Sequence, residues 1–90
     1  MPDLFIPDVP RDELVNITFE SSGKEVSKEF RKKLQSAMKI GNDYKIKVRI
    51  IFETNNGIMS TKTTIWMVGR QYVLVKGNIA IPINSIWTVE

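Results

Sequence analysis

Residues 64–87 read TIWMVGRQYVLVKGNIAIPINSIW, and this stretch decides the fold. Apolar runs of strand length alternate in it with the two-residue turn signals Gly69-Arg70 and Gly77-Asn78, and a third signal, Asn56-Gly57, lies upstream. Apolar runs joined by such turns are typical of β-hairpins. Residues 44–89 are therefore predicted to form a four-stranded antiparallel meander followed by a short closing strand.

Each turn signal also determines which side chains share a face of the sheet, because a one-residue slip in pairing reverses every side chain. The Gly77-Asn78 loop, for example, places Leu74 opposite Ile81. Taken as two-residue loops, all three signals send the same apolar side chains to one face, which is the predicted core face. This set is Ile46, Val48, Ile50, Phe52, Ile65, Met67, Tyr72, Leu74, Ile81 and Ile83.

One amphipathic helix is predicted over about residues 27–40, because apolar residues recur there at helical spacing. The buried stripe consists of Phe30, Leu34, Ala37 and Met38. Ser27 is the favoured N-cap, and the alternative is a capping box made by Ser22 and Glu25. Gly41 is predicted to end the helix in the left-handed conformation.

The segment before the helix is predicted to hold one arm and one strand. Residues 14–20 alternate apolar side chains, beginning at Val15, with polar neighbours, as a half-buried strand does. Residues 1–10 are rich in proline, which favours an extended arm that docks either on its own domain or on a neighbour. The predicted organisation is a Pro-rich arm at 1–10 and a single α+β domain at 11–90.

The second face of the meander is also apolar toward its end and needs a cover. Pro82 cannot donate to a ladder, so residues 79–83 are predicted to lie at a sheet edge or beside a bulge. Either the helix and barrel closure cover the two faces, or a partner protein covers one of them. The candidate stacking or interface residues are Trp66, Val68, Val73, Val75 and Pro82.

The order of elements resembles that of small, strongly bent barrels of the Sm-like and SH3-like kind. The shared features are a leading helix, a long basic strand closed by Asn56-Gly57, two further hairpins, and a short turn before the closing strand at 87–89. The resemblance covers roughly residues 27–89 as strand order alone, the strand before the helix is an addition, and the nucleotide-contacting motifs of those families are absent. It implies a bent barrel and, in the Sm-like case, oligomeric rings, but no site residues.

Positive charge is concentrated in the middle of the chain. The net charge is +3, yet residues 1–20 hold five acidic residues against one basic residue, and residues 24–49 hold nine basic residues against three acidic ones. A basic segment of this kind either complements the acidic start or binds a polyanion, with Trp66 or Tyr44 as a stacking face. The candidate polyanion-binding residues are Lys28, Arg31, Lys32, Lys45, Lys47 and Arg49.

The composition argues against catalysis and metal binding. The chain has no histidine, which removes the usual general base, the proton shuttle and the commonest metal ligand, and no cysteine, which in practice excludes structural zinc as well. No enzyme activity, cofactor or metal is therefore expected. The lack of cysteine leaves the compartment open and favours a cytoplasmic location. No run approaches the roughly 20 apolar residues of a membrane span, and no secretory signal is visible.

The expected function is a non-enzymatic binding or protein-interaction module. Its partner is another protein or a second copy of the chain, because the surplus of apolar side chains on the second face needs a cover. The alternative is binding of single-stranded RNA or DNA through the basic segment at residues 24–49.

Overall fold

One helix and six short strands share one hydrophobic core in the computed structural model, which describes residues 6–23 and 25–90. Helix α1 covers Lys28–Tyr44. Strands β1 to β6 cover Val48–Thr54, Gly57–Thr63, Ile65–Val68, Tyr72–Val75, Ile79–Pro82 and Ile86–Val89. Two 3₁₀ helices cover Arg11–Asn16 and Ile83–Ser85. The predicted α+β fold is confirmed.

The strands form two three-stranded antiparallel sheets, ordered β2-β1-β6 and β3-β4-β5. The chain passes from the first sheet to the second at Thr64, where the predicted second strand of the meander bends and divides into β2 and β3. No ladder joins the two sheets within the described residues. The meander is therefore strongly bent, as predicted, but the barrel is not closed.

Helix α1 begins where the sequence predicts and ends later. The Ser27 hydroxyl accepts a hydrogen bond from the backbone N–H of Phe30 at 3.1 Å, so the favoured N-cap is confirmed. The helix continues past Gly41 to Tyr44, and Lys45 takes the left-handed conformation with φ 54°. The predicted stop at Gly41 is wrong because this glycine is buried inside the helix, where it lets the helix approach the chain around Thr64 closely.

The pairing of β1 with β2 differs from the predicted register and keeps the predicted faces. Phe52 lies opposite Met59 instead of Thr61, because the loop consists of Asn55 and Asn56. A shift of two residues leaves each side chain on its original face. The inward prediction for Ile50 and Phe52 therefore holds, and both are fully buried.

Each side chain of β4 points to the face of the sheet opposite to the predicted one, and two local irregularities cause this. The pairing of β3 with β4 shifts by one residue between Ile65 and Met67, as at a β-bulge. The loop between β4 and β5 has three residues, since Val75 pairs with Ile79. Each change reverses the alternation of side chains. Ile65 and the interior of β5 therefore keep the predicted orientation, while β4 between them is inverted.

This inversion exchanges part of the predicted core with part of the predicted second face. Val73 and Val75, predicted for the second face, are fully buried. Met67 and Tyr72, predicted to face inward, are 56% and 52% exposed. Ile46 is also exposed, because it precedes β1 instead of belonging to it. The members of the inward set that are buried as predicted are Ile50, Phe52, Ile65, Ile81 and Ile83.

The predicted N-terminal strand is largely replaced by the 3₁₀ helix at Arg11–Asn16, which follows Pro10 with φ −58°. Residues three apart lie on one side of a 3₁₀ helix, so burial does not follow the strand alternation. Leu14 is buried, whereas Val15 is 70% exposed. Strand-like pairing in the described residues is confined here to Phe19, which forms an isolated antiparallel bridge to the end of β1.

Residues 7–9 of the predicted arm lie along β2. The backbone N–H of Val9 donates to the Ser60 carbonyl at 2.7 Å, and the backbone N–H of Ser60 donates to the Pro7 carbonyl at 2.9 Å. The Thr61 hydroxyl donates to the Val9 carbonyl at 2.8 Å. These bonds cover part of the β2 edge, which would otherwise be open to another strand. The part of the predicted arm at residues 1–5 lies outside the described residues.

Gly41→Ala is expected to lower the free energy of unfolding by about 1 kcal/mol. At an exposed helix position this change would add roughly 1 kcal/mol through helix propensity. Here the new Cβ would lie 3.0 Å from Thr64 Cγ2 and 3.3 Å from the Ile46 carbonyl oxygen, and overpacking costs about 1–3 kcal/mol. Urea unfolding of the two proteins measures the difference.

A double variant separates the steric effect from helix propensity. Gly41→Ala combined with Thr64→Ser lacks the Cγ2 atom and is expected to recover most of the lost stability. Ser36→Ala, at an exposed position of the same helix, is the control and should add a few tenths, roughly 0.5 kcal/mol or less. A stabilising Gly41→Ala would contradict the close approach.

Candidate binding surfaces

The six basic candidates differ in their positions and in their contacts within the chain. Lys28 and Lys32 are exposed in the first two turns of α1, and Lys45 follows its last residue. The 17 residues of α1 span about 25 Å at 1.5 Å per residue. Lys28 and Lys45 therefore lie at opposite ends of α1. Lys24, which belongs to the same basic segment of the sequence, lies outside the described residues.

Arg31 connects the helix to the loop between β3 and β4. Its guanidinium donates to the Gly69 carbonyl at 3.3 Å and to the Arg70 carbonyl at 2.6 Å. Two donors of one planar group are thus used on backbone oxygens, an arrangement that suits the fixed fork of arginine. Arg31 holds two parts of the fold together and is only partly exposed.

Arg49 connects the arm, the first sheet and the end of the chain. Its guanidinium lies 3.5 Å from the carboxylate of Asp8 and 3.5 Å from that of Glu90, and it donates to the Ser60 hydroxyl at 3.2 Å. Two negative charges therefore already compensate this arginine. Arg49 faces acidic partners of its own chain, which makes it a poor ligand for a polyanion.

The same cluster changes the acidity of Asp8. Donation from the Ser60 hydroxyl holds the pKa of Asp8 below its ordinary value. Desolvation opposes this shift, while the positive charges of Arg49 and Lys62 act in the same direction as Ser60. The ionised carboxylate is thus favoured in the folded protein, and its bonds join the arm to β2.

The arm contacts are expected to weaken in acid. Because the pKa of Asp8 is lowered on folding, the ionised carboxylate stabilises the protein above its unfolded pKa of about 4, and this stability is lost as pH falls through the lower folded pKa. The melting temperature of the wild type should therefore fall more steeply below about pH 4 than that of Asp8→Asn.

The control for this measurement is Asp12→Asn, whose side chain is 90% exposed in the wild type. It should keep the wild-type pH dependence, since Ser60 and Arg49 do not contact residue 12. Identical acid slopes for the wild type and Asp8→Asn would show that the Asp8 cluster does not contribute to stability.

The two remaining basic candidates, Lys45 and Lys47, line a cleft at the C-terminal end of α1. The cleft has a volume of about 360 Å³. Lys76, which follows β4, contributes a third ammonium group, and the indole of Trp66 is 42% exposed. The full lining is Gly41, Asn42, Lys45, Lys47, Thr64, Trp66 and Lys76. The structure thus brings Lys45 and Lys47 together with Trp66, the predicted stacking residue. It adds Lys76, which the sequence analysis did not single out.

The electrostatics of this cleft differ from those around the two arginines. Within residues 6–23 and 25–90, none of Lys45, Lys47 and Lys76 forms an ion pair. The nearby helix end carries about half a negative charge from its free carbonyl groups. Three ammonium groups exceed this compensation, so the cleft keeps a surplus of positive charge.

The outer face of the second sheet forms an apolar surface. Met67 lies beside Leu74, and Leu74 lies beside Ala80, so that one row crosses all three strands. Tyr72 and Pro82 form a neighbouring pair. No strand residue of β3, β4 or β5 carries a charge. These five residues, Met67, Tyr72, Leu74, Ala80 and Pro82, are called the outer face below.

The outer face replaces the interface that the sequence predicted. Val73 and Val75 are excluded from it by their burial, and Val68 packs against the core. Pro82 belongs to it, and Trp66 lies next to it in β3 while also lining the basic cleft. The signal that would have identified Met67 and Tyr72 is the bulge after Ile65, which the amino-acid pattern does not reveal.

A second cavity, of about 350 Å³, borders the outer face. Tyr72 and Pro82 belong to both, and the other lining residues are Val26, Arg70, Gln71 and Asn84. The apolar surface therefore has a concave end that can receive a protruding side chain.

The described residues contain no group of three or more Asp or Glu side chains arranged to hold a metal ion. In the same part of the chain, no helix has both the length and the apolar character to cross a bilayer.

No protein-family model matches the sequence, and no curated protein or solved structure matches it significantly.

Proposed function

We propose that the protein is a non-enzymatic protein-interaction module that pairs with a second copy of itself through the outer face. The observation that carries the proposal is the exposure of large apolar side chains there, since Met67 is 56% and Tyr72 is 52% exposed in a sheet without charged strand residues. Removal of apolar surface from water contributes about 25 cal/mol per Å². An apolar sheet face of this kind is typical of an interface.

A second copy is a suitable occupant because the strand residues of the outer face carry no charge. A two-fold interface uses the same patch on both subunits, so the uncharged strands of one copy meet those of the other. Sheets that stack face to face lie about 10 Å apart, with their side chains interdigitated. The cavity beside Tyr72 and Pro82 offers a place for a side chain from the other copy.

The geometry of β5 favours pairing through the face over pairing through the edge. β5 is an edge strand, which confirms the predicted edge position of Pro82. Pro82 has no backbone N–H, and edge addition needs regular donors along the strand. Stacking of the outer faces makes no such demand on the backbone.

Two further parts of the proposal come from composition. The absence of histidine supports a binding role, because the side chain most often used as a general base is absent from the sequence. A cytoplasmic location remains our prediction from the lack of cysteine.

Light scattering across micromolar to millimolar protein concentrations tests the self-pairing. The wild-type mass is expected to rise from one chain to two. Met67→Lys combined with Tyr72→Lys places charges in the centre of the interface and should keep the mass at one chain, because each buried ammonium group weakens pairing by roughly tenfold or more, about 1.4 kcal/mol.

Val15→Lys is the matched control, because Val15 is 70% exposed and lies outside the second sheet. It should pair as the wild type does. Thermal unfolding confirms that the variants fold, since substitutions at exposed sites usually change stability by less than about 0.5 kcal/mol. A wild-type mass of one chain at every concentration, or unchanged pairing of the double-lysine variant, would overturn the proposal.

A further inference from the structure

We infer that the cleft formed by Lys45, Lys47, Lys76 and Trp66 binds a nucleotide, either free or as part of a single strand. This inference does not rest on the proposed self-pairing. It depends on a separate set of side chains, which join two chemical properties in one cavity. One property is positive charge without an internal partner, and the other is an exposed aromatic ring.

The lysines provide the phosphate site. Each ammonium group is a compact charge with three donors, and lysine binds phosphate groups in this way in many proteins. Lys45 and Lys47 lie in the short connection between α1 and β1, and Lys76 follows β4, so two separate parts of the chain supply the three lysines. The fold thus brings together like charges that repel each other, and a bound anion relieves this repulsion.

Trp66 provides the site for a base. Its indole is 42% exposed on the same cavity, and stacking of a base on an aromatic side chain accepts any base because each has a π-face. The side chains of Asn42 and Thr64 lie in the same lining and can exchange hydrogen bonds with a base edge or a sugar. An inorganic anion would use the lysines and leave the indole without a role.

The size of the cleft and its surroundings limit the ligand to about one nucleotide. Its volume of about 360 Å³ lies at the lower end of the range for small-molecule sites, roughly 300–1,000 Å³. Arg31 and Arg49 are occupied by contacts within the chain, and Lys28 lies near the far end of α1. Of the six candidate basic residues, Lys45 and Lys47 line this cleft, so at most one unit of a long strand is held tightly in it.

The negative charge at the C-terminal end of α1 accounts for only part of the positive charge of the three lysines. The C-terminal end of a helix is equivalent to about half an elementary negative charge. Lys45 alone, which directly follows α1, is sufficient to balance it. Lys47 and Lys76 remain as cations that the helix end does not require.

Titration with four probes at low salt tests the inference, and the NMR signal of the Trp66 indole N–H reports binding. The probes are adenosine diphosphate, pyrophosphate, adenosine and a short oligothymidylate. Adenosine diphosphate should bind at least tenfold more tightly than pyrophosphate or adenosine and should shift the Trp66 signal. Tighter binding of the oligothymidylate than of adenosine diphosphate would identify the strand as the source of the nucleotide, and the reverse order would identify a free nucleotide.

Charge-matched variants distinguish the cleft from general attraction by a basic protein. Lys47→Gln and Lys76→Gln should each weaken binding of the tighter probe by roughly tenfold. Lys28→Gln removes the same charge from an exposed site near the other end of α1 and should leave binding unchanged. Trp66→Leu should remove the preference for adenosine diphosphate over pyrophosphate.

Three outcomes would overturn the inference. The first is an unshifted Trp66 signal with every probe. The second is equal binding of pyrophosphate and adenosine diphosphate, which would show that the indole does not contribute. The third is an equal loss of affinity in Lys28→Gln and Lys47→Gln, which would reduce the effect to net charge. None of these results affects the self-pairing, which is measured without a ligand and through other residues.

Discussion

The shift in pairing between Ile65 and Met67 determines the two surfaces of this protein. Without it, Ile65 and Met67 would share a face, and Tyr72 with Leu74 would enter the core. With it, Val73 and Val75 fill the core beside Ile65, while Met67 and Tyr72 remain outside. A single extra residue in one strand thus converts a core face into an exposed apolar face. This extra residue is Trp66, which also lines the basic cleft.

The elements in the described part of the chain leave large apolar side chains of one sheet face exposed. One α-helix is present in the described residues, and it packs mainly against β3 through a stripe that ends at Gly41. Small domains bury a limited fraction of their surface, so an uncovered sheet face is a large share of the apolar area. The arm covers the edge of β2 on the first sheet. Within residues 6–23 and 25–90, no element buries Met67 or Tyr72 of the outer face, which is why the chemistry of this face bears on function.

Features set by local chemistry could be predicted from the sequence, and features set by single-residue irregularities could not. Ser27 caps the helix because its hydroxyl reaches the N–H three residues later, a contact within one turn. The faces of β1 survived an error in register because that error was an even number of residues. The inversion of β4 depends on a bulge and a three-residue loop, neither of which alters the apolar pattern. Trp66 and Lys47 could be named as candidate residues from their type and position in the sequence. Lys76 and the outer face could not, because the fold alone brings Lys76 into the cleft and turns Met67 and Tyr72 outward.

The two proposed surfaces meet in β3, and this contact has a thermodynamic consequence. Trp66 lines the cleft and Met67 belongs to the outer face, so adjacent residues of one strand serve both. Under the two proposals, a second copy stacked on Met67 would change the solvent around the indole, and a base stacked on the indole would change the surface offered to the second copy. Any effect of ligand on pairing must equal the effect of pairing on ligand affinity, because both follow from one coupling free energy. The arginines take no part in this coupling, since Arg31 and Arg49 hold the fold together at other places. Arg31 and Arg49 thus make contacts within the fold, whereas Lys45 and Lys47, from the same basic segment of the sequence, line the cleft together with Lys76.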